Sequence, residues 1–400
     1  MKAQLPLRPN EELLLQTVRA APDPVRLGAL LARTDFDWRP FWTLAGDQHV
    51  QPLVARVLAD SRLACMLPDE ARETMTAVRR QTTLHNMSTD AELNRIGAIL
   101  AAAAIPFAPL KGTQLTRRLF GGLDARRCGD IDILVAESHW QAAHTLLTGA
   151  GYQPAAEVRP GVESHAFHGV PLVRVGNGQA FIVELHRKLT DPRFVTIDYR
   201  ELWQRLEPAE SGPPGQMELP AADLLVFLAI HAPKHSTGIL RLLADIDHLI
   251  AREADRLDWQ SVIRLARDWH ADTILACVLQ LATALLETPV PDDAIQALRP
   301  ARWKRVTIPF LVGPETILHP PAAAHLRAKR FRIAYCLMLQ RSGRELRSYW
   351  HYIMMPPSLR PEHALARVSL AIRQPLDGLA WTALTLASAT RDRVRSRAPT

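Results

Sequence analysis

The sequence predicts an α+β protein, a small mixed β-sheet set between helical segments with a basic helical region at the end. Three observations carry this expectation. Residues 11–104 and 219–298 place apolar residues at three- and four-residue spacing, as helices with one buried face do. Between them, short apolar runs bounded by glycine and proline read as strands. The 30 prolines among 400 residues divide the chain into many short elements.

Taken in order, Glu11–Ala20, Arg26–Arg33 and Val50–Ala59 are predicted helices separated by proline-containing turns. Ser88–Ala104 is a stronger helical pattern that ends before Pro106. Pro106–Leu110 is a short apolar run entering Lys111-Gly112-Thr113, after which Gln114–Phe120 is helical and stops at Gly121-Gly122. Ile131–Val135 reads as a strand and His139–Leu147 as a helix. His165–Val175 reads as two β-like runs with Gly169-Val170-Pro171 between them. Gly176-Asn177-Gly178 is a hairpin-type turn, and Ala180–Leu185 is the strand that follows. Pro208–Pro214 is the expected linker. Beyond it, Ala221–His231, Leu240–Ala251, Trp259–Trp269, Thr273–Leu286 and Pro291–Leu298 are helical patterns. The expected organisation is an N-terminal helical region (1–85), a mixed core (86–207), a helical domain (215–300) and a basic helical region with a flexible end (301–400).

With 48% hydrophobic and 22% charged residues, wholesale disorder is excluded. The net charge of +7 and the pI near 9.5 invite a nucleic-acid reading. The distribution argues otherwise. Residues 301–400 hold 17 Lys+Arg against 5 Asp+Glu, which leaves 31 against 36 in residues 1–300. The excess is therefore C-terminal, where it can serve an acidic partner, anionic lipid or nucleic acid, or simply be a solvated face. Cys65, Cys128, Cys277 and Cys336 lie far apart without zinc-ligand spacing, as expected of a cytoplasmic protein with reduced thiols. Glu11 and Glu12 interrupt any signal-peptide pattern, and Leu376–Ala389 is too short, with Asp377 inside it, to span a membrane.

The chemistry concentrates in three segments: Leu110 to Thr113, Arg126 to Val135, and Ile182 to His186. Asp130 and Asp132, two apart on a strand, point to one face while Ile131, Ile133 and Val135 point to the other. Paired carboxylates repel unless a cation lies between them, and hard oxygen donors suit Mg²⁺. Glu184 on a later strand can add a third carboxylate. Three acids on adjacent strands can hold two metal ions that clamp the oxygens of a phosphoryl displacement. At the turn, Gly112 lets the backbone approach a phosphate, with Lys111 adding charge and Thr113 a hydroxyl.

In this order the segments resemble the nucleotidyltransferase superfamily that shares the DNA polymerase β catalytic fold. More narrowly they resemble the bacterial uncharacterised nucleotidyltransferase family, with its LKG turn, RxxxDIDLLV strand and later DLHW-type strand. Ala45–Leu53, His231 to His235, Arg241 and Asp245-Ile246 extend the resemblance over about residues 40–250. It implies that Asp130 and Asp132 bind metal, with Glu184 as the third acid. It also implies Mg²⁺ as cofactor, with an NTP, ATP in the first instance, as substrate. The expected acceptor is a hydroxyl of a peptide, sugar or small metabolite, since members of that family often accompany biosynthetic or peptide-modification clusters. The sequence departs from the pattern in four ways: Lys-Gly-Thr stands for the wider superfamily's Gly-Ser, a longer gap precedes Asp130 and Asp132, Glu184 stands for Asp, and Arg187 for Trp.

Further candidates have two readings each. Arg126 is a triphosphate contact or a solvated loop arginine. His186 orients Glu184 or touches the nucleotide, or is a core histidine. Lys234 and His235 neutralise a γ-phosphate or close a helix C-terminus. Asp245 pairs with Lys234 or Arg241. Transfer of the γ-phosphoryl group at the same site, and a non-catalytic nucleotide- or partner-binding protein, are the alternative functions.

Overall fold

The structure is a computed structural model that describes residues 6–340 apart from 34–35, 155–168, 177, 191, 193–194, 235–236 and 321–323. The expected basic segment beyond residue 340, and residues 165–168 and Asn177 of the expected strand region, lie outside the described residues.

The helices α1 (Pro9–Val18), α2 (Pro24–Leu31), α3 (Trp38–Asp47), α4 (Gln51–Leu58) and α5 (Ser61–Ala64) lead into α6 (Asp69–Ala102). The central region comprises β1 (Phe107–Pro109), α7 (Thr113–Phe120), β2 (Ile131–Val135), α8 (Glu137–Gly149), β3 (Gln153–Pro154), β4 (Gly169–Gly176) and β5 (Gln179–His186). Next come α9 (Tyr199–Arg205), a β6–β7 hairpin (Glu207–Pro208, Met217–Glu218), α10 (Ala221–His231), a 3-10 turn (Ala232–Lys234) and α11 (Ile239–Arg252). The rest is helical: α12 (Trp259–Asp268), α13 (Asp272–Leu286), α14 (Asp292–Ala297), α15 (Arg302–Leu311), α16 (Pro314–Leu318) and α17 (Ala324–Leu339). The fold is α+β, as the pattern predicts. No helix among the described residues is long and apolar enough to cross a membrane, and no disulfide joins Cys65, Cys128, Cys277 and Cys336.

The sheet has the order β1-β2-β5-β4-β3. Only the β2–β5 pair is parallel. Ile131, Ile133 and Val135 of β2 and Val183 and Leu185 of β5 face one way, against Leu93, Ile96 and Leu100 of α6 and Ala143 and Leu147 of α8. Each of these Val, Leu and Ile side chains contributes about 1.5–3 kcal/mol on burial. A one-residue slip of β2 would turn Asp132 into this core, so the apolar face fixes the register that aims the acids. Ala108, Leu110 and Leu134 face the other way and join the larger helical core with Leu115 and Leu119 of α7.

Three elements differ from the sequence reading. The helix expected from Ser88 begins at Asp69 and runs for 34 residues, through the boundary drawn at 85. Its buried positions, Ala71, Met75, Val78, Thr82, Asn86, Thr89, Leu93, Ile96 and Leu100, keep a helical period only when the polar ones are counted. Pro171 lies inside β4, not between two runs: it stands opposite Glu184 in the β4–β5 ladder, and among the described residues β3 pairs with Leu172 and Val173. The expected linker is a hairpin laid along β1, where Phe107 N–H donates to Gly215 O at 3.1 Å. Gly97 of α6 makes this possible: a Cβ there would lie 2.5 Å from Pro213 Cγ and 2.8 Å from Phe107 Cζ.

Candidate active site

The parallel pairing of β2 with β5 sets Asp132 beside Glu184 and Leu134 beside His186. Partners across a ladder share a face, so Asp132, Glu184 and His186 project together from the side opposite the apolar core. One ligand atom from each lies within 4.8 Å of the others. Asp130 is not in that group; it sits just before β2, half-buried.

Asp132 is 3% exposed and stands between two cations. Its Oδ1 is 3.1 Å from His186 Nε2, and its Oδ2 is 3.0 Å from Lys111 Nζ. His186 Nε2 also approaches Glu184 Oε2 at 3.4 Å, so the ring bridges the two carboxylates. Burial alone would push Asp132 up, but the Lys111 ammonium and the His186 hydrogen bond hold it well below the usual carboxylate range. Burial would push His186 down, but hydrogen bonds to Asp132 and Glu184, with their charges, raise it to about 9. Lys111 is likewise raised against burial by Asp132, Asp130 and Glu184.

Lys111 reaches this position because β1 continues one step along β2, where Leu110 N–H donates to Asp132 O at 3.0 Å. Gly112 follows with φ 75° and ψ −140° and opens α7, accepting from Thr116 N–H at 3.1 Å. Thr113 Oγ1 is buried without a hydrogen-bond partner at the same turn. A Cβ on Gly112 would meet nothing closer than Asp130 O at 3.7 Å, so the constraint is the backbone angle. Gly112→Ala should therefore destabilise the protein by about 1–3 kcal/mol through strain alone. Urea denaturation checks this; a loss below roughly 0.5 kcal/mol would contradict the strained conformation.

Arg126 is neither solvated nor free. It is 5% exposed, and its Nε donates to both oxygens of Asp245 on α11, at 3.1 and 3.0 Å. This corrects the pairing expected for Asp245: its partner is Arg126, because the 121–130 segment folds under α11. Asp247, two residues on, faces away and accepts from Ala20 N–H at 2.8 Å. Lys234 closes the 3-10 turn. The Lys234 side chain and His235 lie outside the described residues.

The sequence reading missed Asn86. From inside α6 its Nδ2 donates to Leu123 O at 2.6 Å and Arg126 O at 2.7 Å, while its Oδ1 accepts from Cys128 N–H at 3.0 Å. It thereby clamps the segment that carries Arg126 into β2. The only sequence signal is a polar residue at a core position of a helix. Arg187, at the family's Trp position, lies over the Trp140 ring at 5.5 Å, while Trp140 Nε1 donates to Leu185 O.

The residues fit a divalent cation. Two carboxylates are held side by side, and the positive charge now balancing Asp132 comes from a lysine that a metal ion would replace. A family model described as an uncharacterised nucleotidyltransferase matches residues 34–287, well over half of the chain. No curated protein and no solved structure matches it.

Proposed function

We propose, from the premise that the chain belongs to the uncharacterised nucleotidyltransferase family, that it moves an NMP group from an NTP to a hydroxyl acceptor. ATP with Mg²⁺ is the expected donor, and a peptide, sugar or small metabolite the acceptor, in the cytoplasm. The observation that carries this reading is the β2–β5 register, which puts Asp132 and Glu184 side by side under the Lys111–Thr113 turn.

Asp132 and Glu184, with Asp130 at the head of β2, would hold two Mg²⁺ ions. Bound there, Mg²⁺ would neutralise polyphosphate charge and ease ionisation of the acceptor hydroxyl. His186 holds the two carboxylates in place through one ring nitrogen. Lys111, released from Asp132, turns its ammonium to the β/γ-phosphates beside the Gly112 backbone and Thr113 hydroxyl. The acceptor oxygen attacks the α-phosphorus, the bond to the bridging oxygen breaks, and pyrophosphate leaves. Glu184, the more exposed carboxylate, is open to take the acceptor's proton. The rate gain rests on positioning and charge, not on a covalent intermediate.

Labelled ATP tests the reading. α-Label should enter the acceptor, with pyrophosphate released and transfer lost on chelation of divalent cations. γ-Label in the product would show phosphoryl transfer at the same site. Mg²⁺-dependent binding without any product would mark a binding protein.

A further inference from the structure

Arg241 lies in the first turn of α11, four residues before Asp245 and therefore on the same helix face. That face meets Arg126, and Asp245 already gives both its oxygens to the Arg126 Nε. Two guanidinium groups thus share a pocket with one carboxylate that serves only the first. The Arg241 Nε is sealed from solvent with no hydrogen-bond partner, and among the described residues Arg241 forms no ion pair.

Several other part-buried arginines have a carboxylate of their own. Arg19 pairs with Glu287, Arg118 with Glu253, Arg174 with Glu92 and Arg205 with Asp223. An enclosed cation without a direct ion-pair partner is costly and calls for an explanation. Burial, and then the like charge of Arg126, push Arg241 down to about 10, while Asp130 and Asp245 pull the other way. Asp130 also acts on Lys111. Asp130, at the head of β2, thus lies within electrostatic reach of both Lys111 and Arg241, which sets Arg241 near the end of β2 where the acids begin.

We infer that Arg241 binds the polyphosphate of the nucleotide across from Lys111, and that the Arg126–Asp245 pair positions it for that contact. The inference rests on the proposed nucleotide reading and adds a residue from the helical side that closes the phosphate site. A guanidinium suits the role because it offers parallel donors to two phosphate oxygens. Arg126 is then a positioning residue: its like charge keeps Arg241 from sharing Asp245.

The test is calorimetric titration of the full chain with a non-transferable Mg–ATP analogue and, separately, with AMP. Arg241→Ala should weaken analogue binding by about 10- to 100-fold, the scale of lost charge-assisted hydrogen bonds, while AMP binding stays within about threefold. Arg241→Lys should fall between, because it restores charge without the fork. Unchanged analogue affinity in Arg241→Ala would overturn the inference. So would an equal loss for AMP and analogue with a lowered melting temperature, which would mark a structural arginine. If the wild-type chain bound neither ligand with Mg²⁺, the nucleotide reading itself would fall, and this inference with it.

Discussion

Asp132→Asn should lower transfer by on the order of a thousandfold or more, the scale of several kcal/mol of lost transition-state charge stabilisation. It should also cost stability, which the alternating strand pattern alone does not suggest. Asp132 is not an acid on an open face; it is buried between Lys111 and His186, and its loss leaves an enclosed lysine without its nearest counter-charge. About 1–3 kcal/mol of destabilisation is expected, measured by urea denaturation beside the transfer assay. Glu184→Gln separates the two effects, because Glu184 is far more exposed and its loss should depress transfer with little change in stability. The pH profile supplies an independent reading. His186 is raised to about 9 in the fold from an ordinary value of 6.5, so its contribution is complete below about 6.5 and is lost as pH rises through 9. Wild-type stability should decline across that window, and Asp132→Asn should flatten the decline. Wild-type turnover in Asp132→Asn would refute the mechanism, and an unchanged pH profile would refute the His186 pairing.

The acids were legible because strand periodicity and carboxylate spacing are both local. Ile131, Ile133 and Val135 announce a strand, and Asp132 must then take the other face. The side-by-side placement of Asp132 and Glu184 was not legible in the same way. It depends on β5 joining β2 in parallel across more than forty intervening residues, and nothing in either segment encodes that choice. The first half of α6 was obscured for another reason. Thr82, Asn86 and Thr89 occupy its buried stripe, and an apolar period cannot register polar residues there, Asn86 being buried to bond the 123–128 loop. Pro208–Pro214 was ambiguous in principle, since glycine and proline mark a free linker and a docked hairpin alike. Only Gly97, an apparent weak point in a helix, hinted that another segment must pack there.

Asp245→Ala should be among the most destabilising single substitutions near the site, at about 3–5 kcal/mol, because it removes one partner of a buried ion pair and leaves the other charged. Here the penalty falls on two groups. Arg126 loses the carboxylate that accepts from its Nε, and Arg241 loses the acid one turn away that offsets its repulsion from Arg126. Denaturant unfolding measures the loss, and a change below about 1 kcal/mol would show that the pair is not buried as described. The paired replacement Arg126→Met with Asp245→Leu distinguishes stability from purpose. Apolar side chains of similar volume remove both charges together, so most of the lost stability should return. Binding of the Mg–ATP analogue should not return with it, because Arg241 would then stand without the charged frame that directs it outward. A double variant that regained both would show that the pair serves packing alone. One that regained stability but not nucleotide affinity would show why a protein keeps a buried ion pair where an apolar core would fold as well.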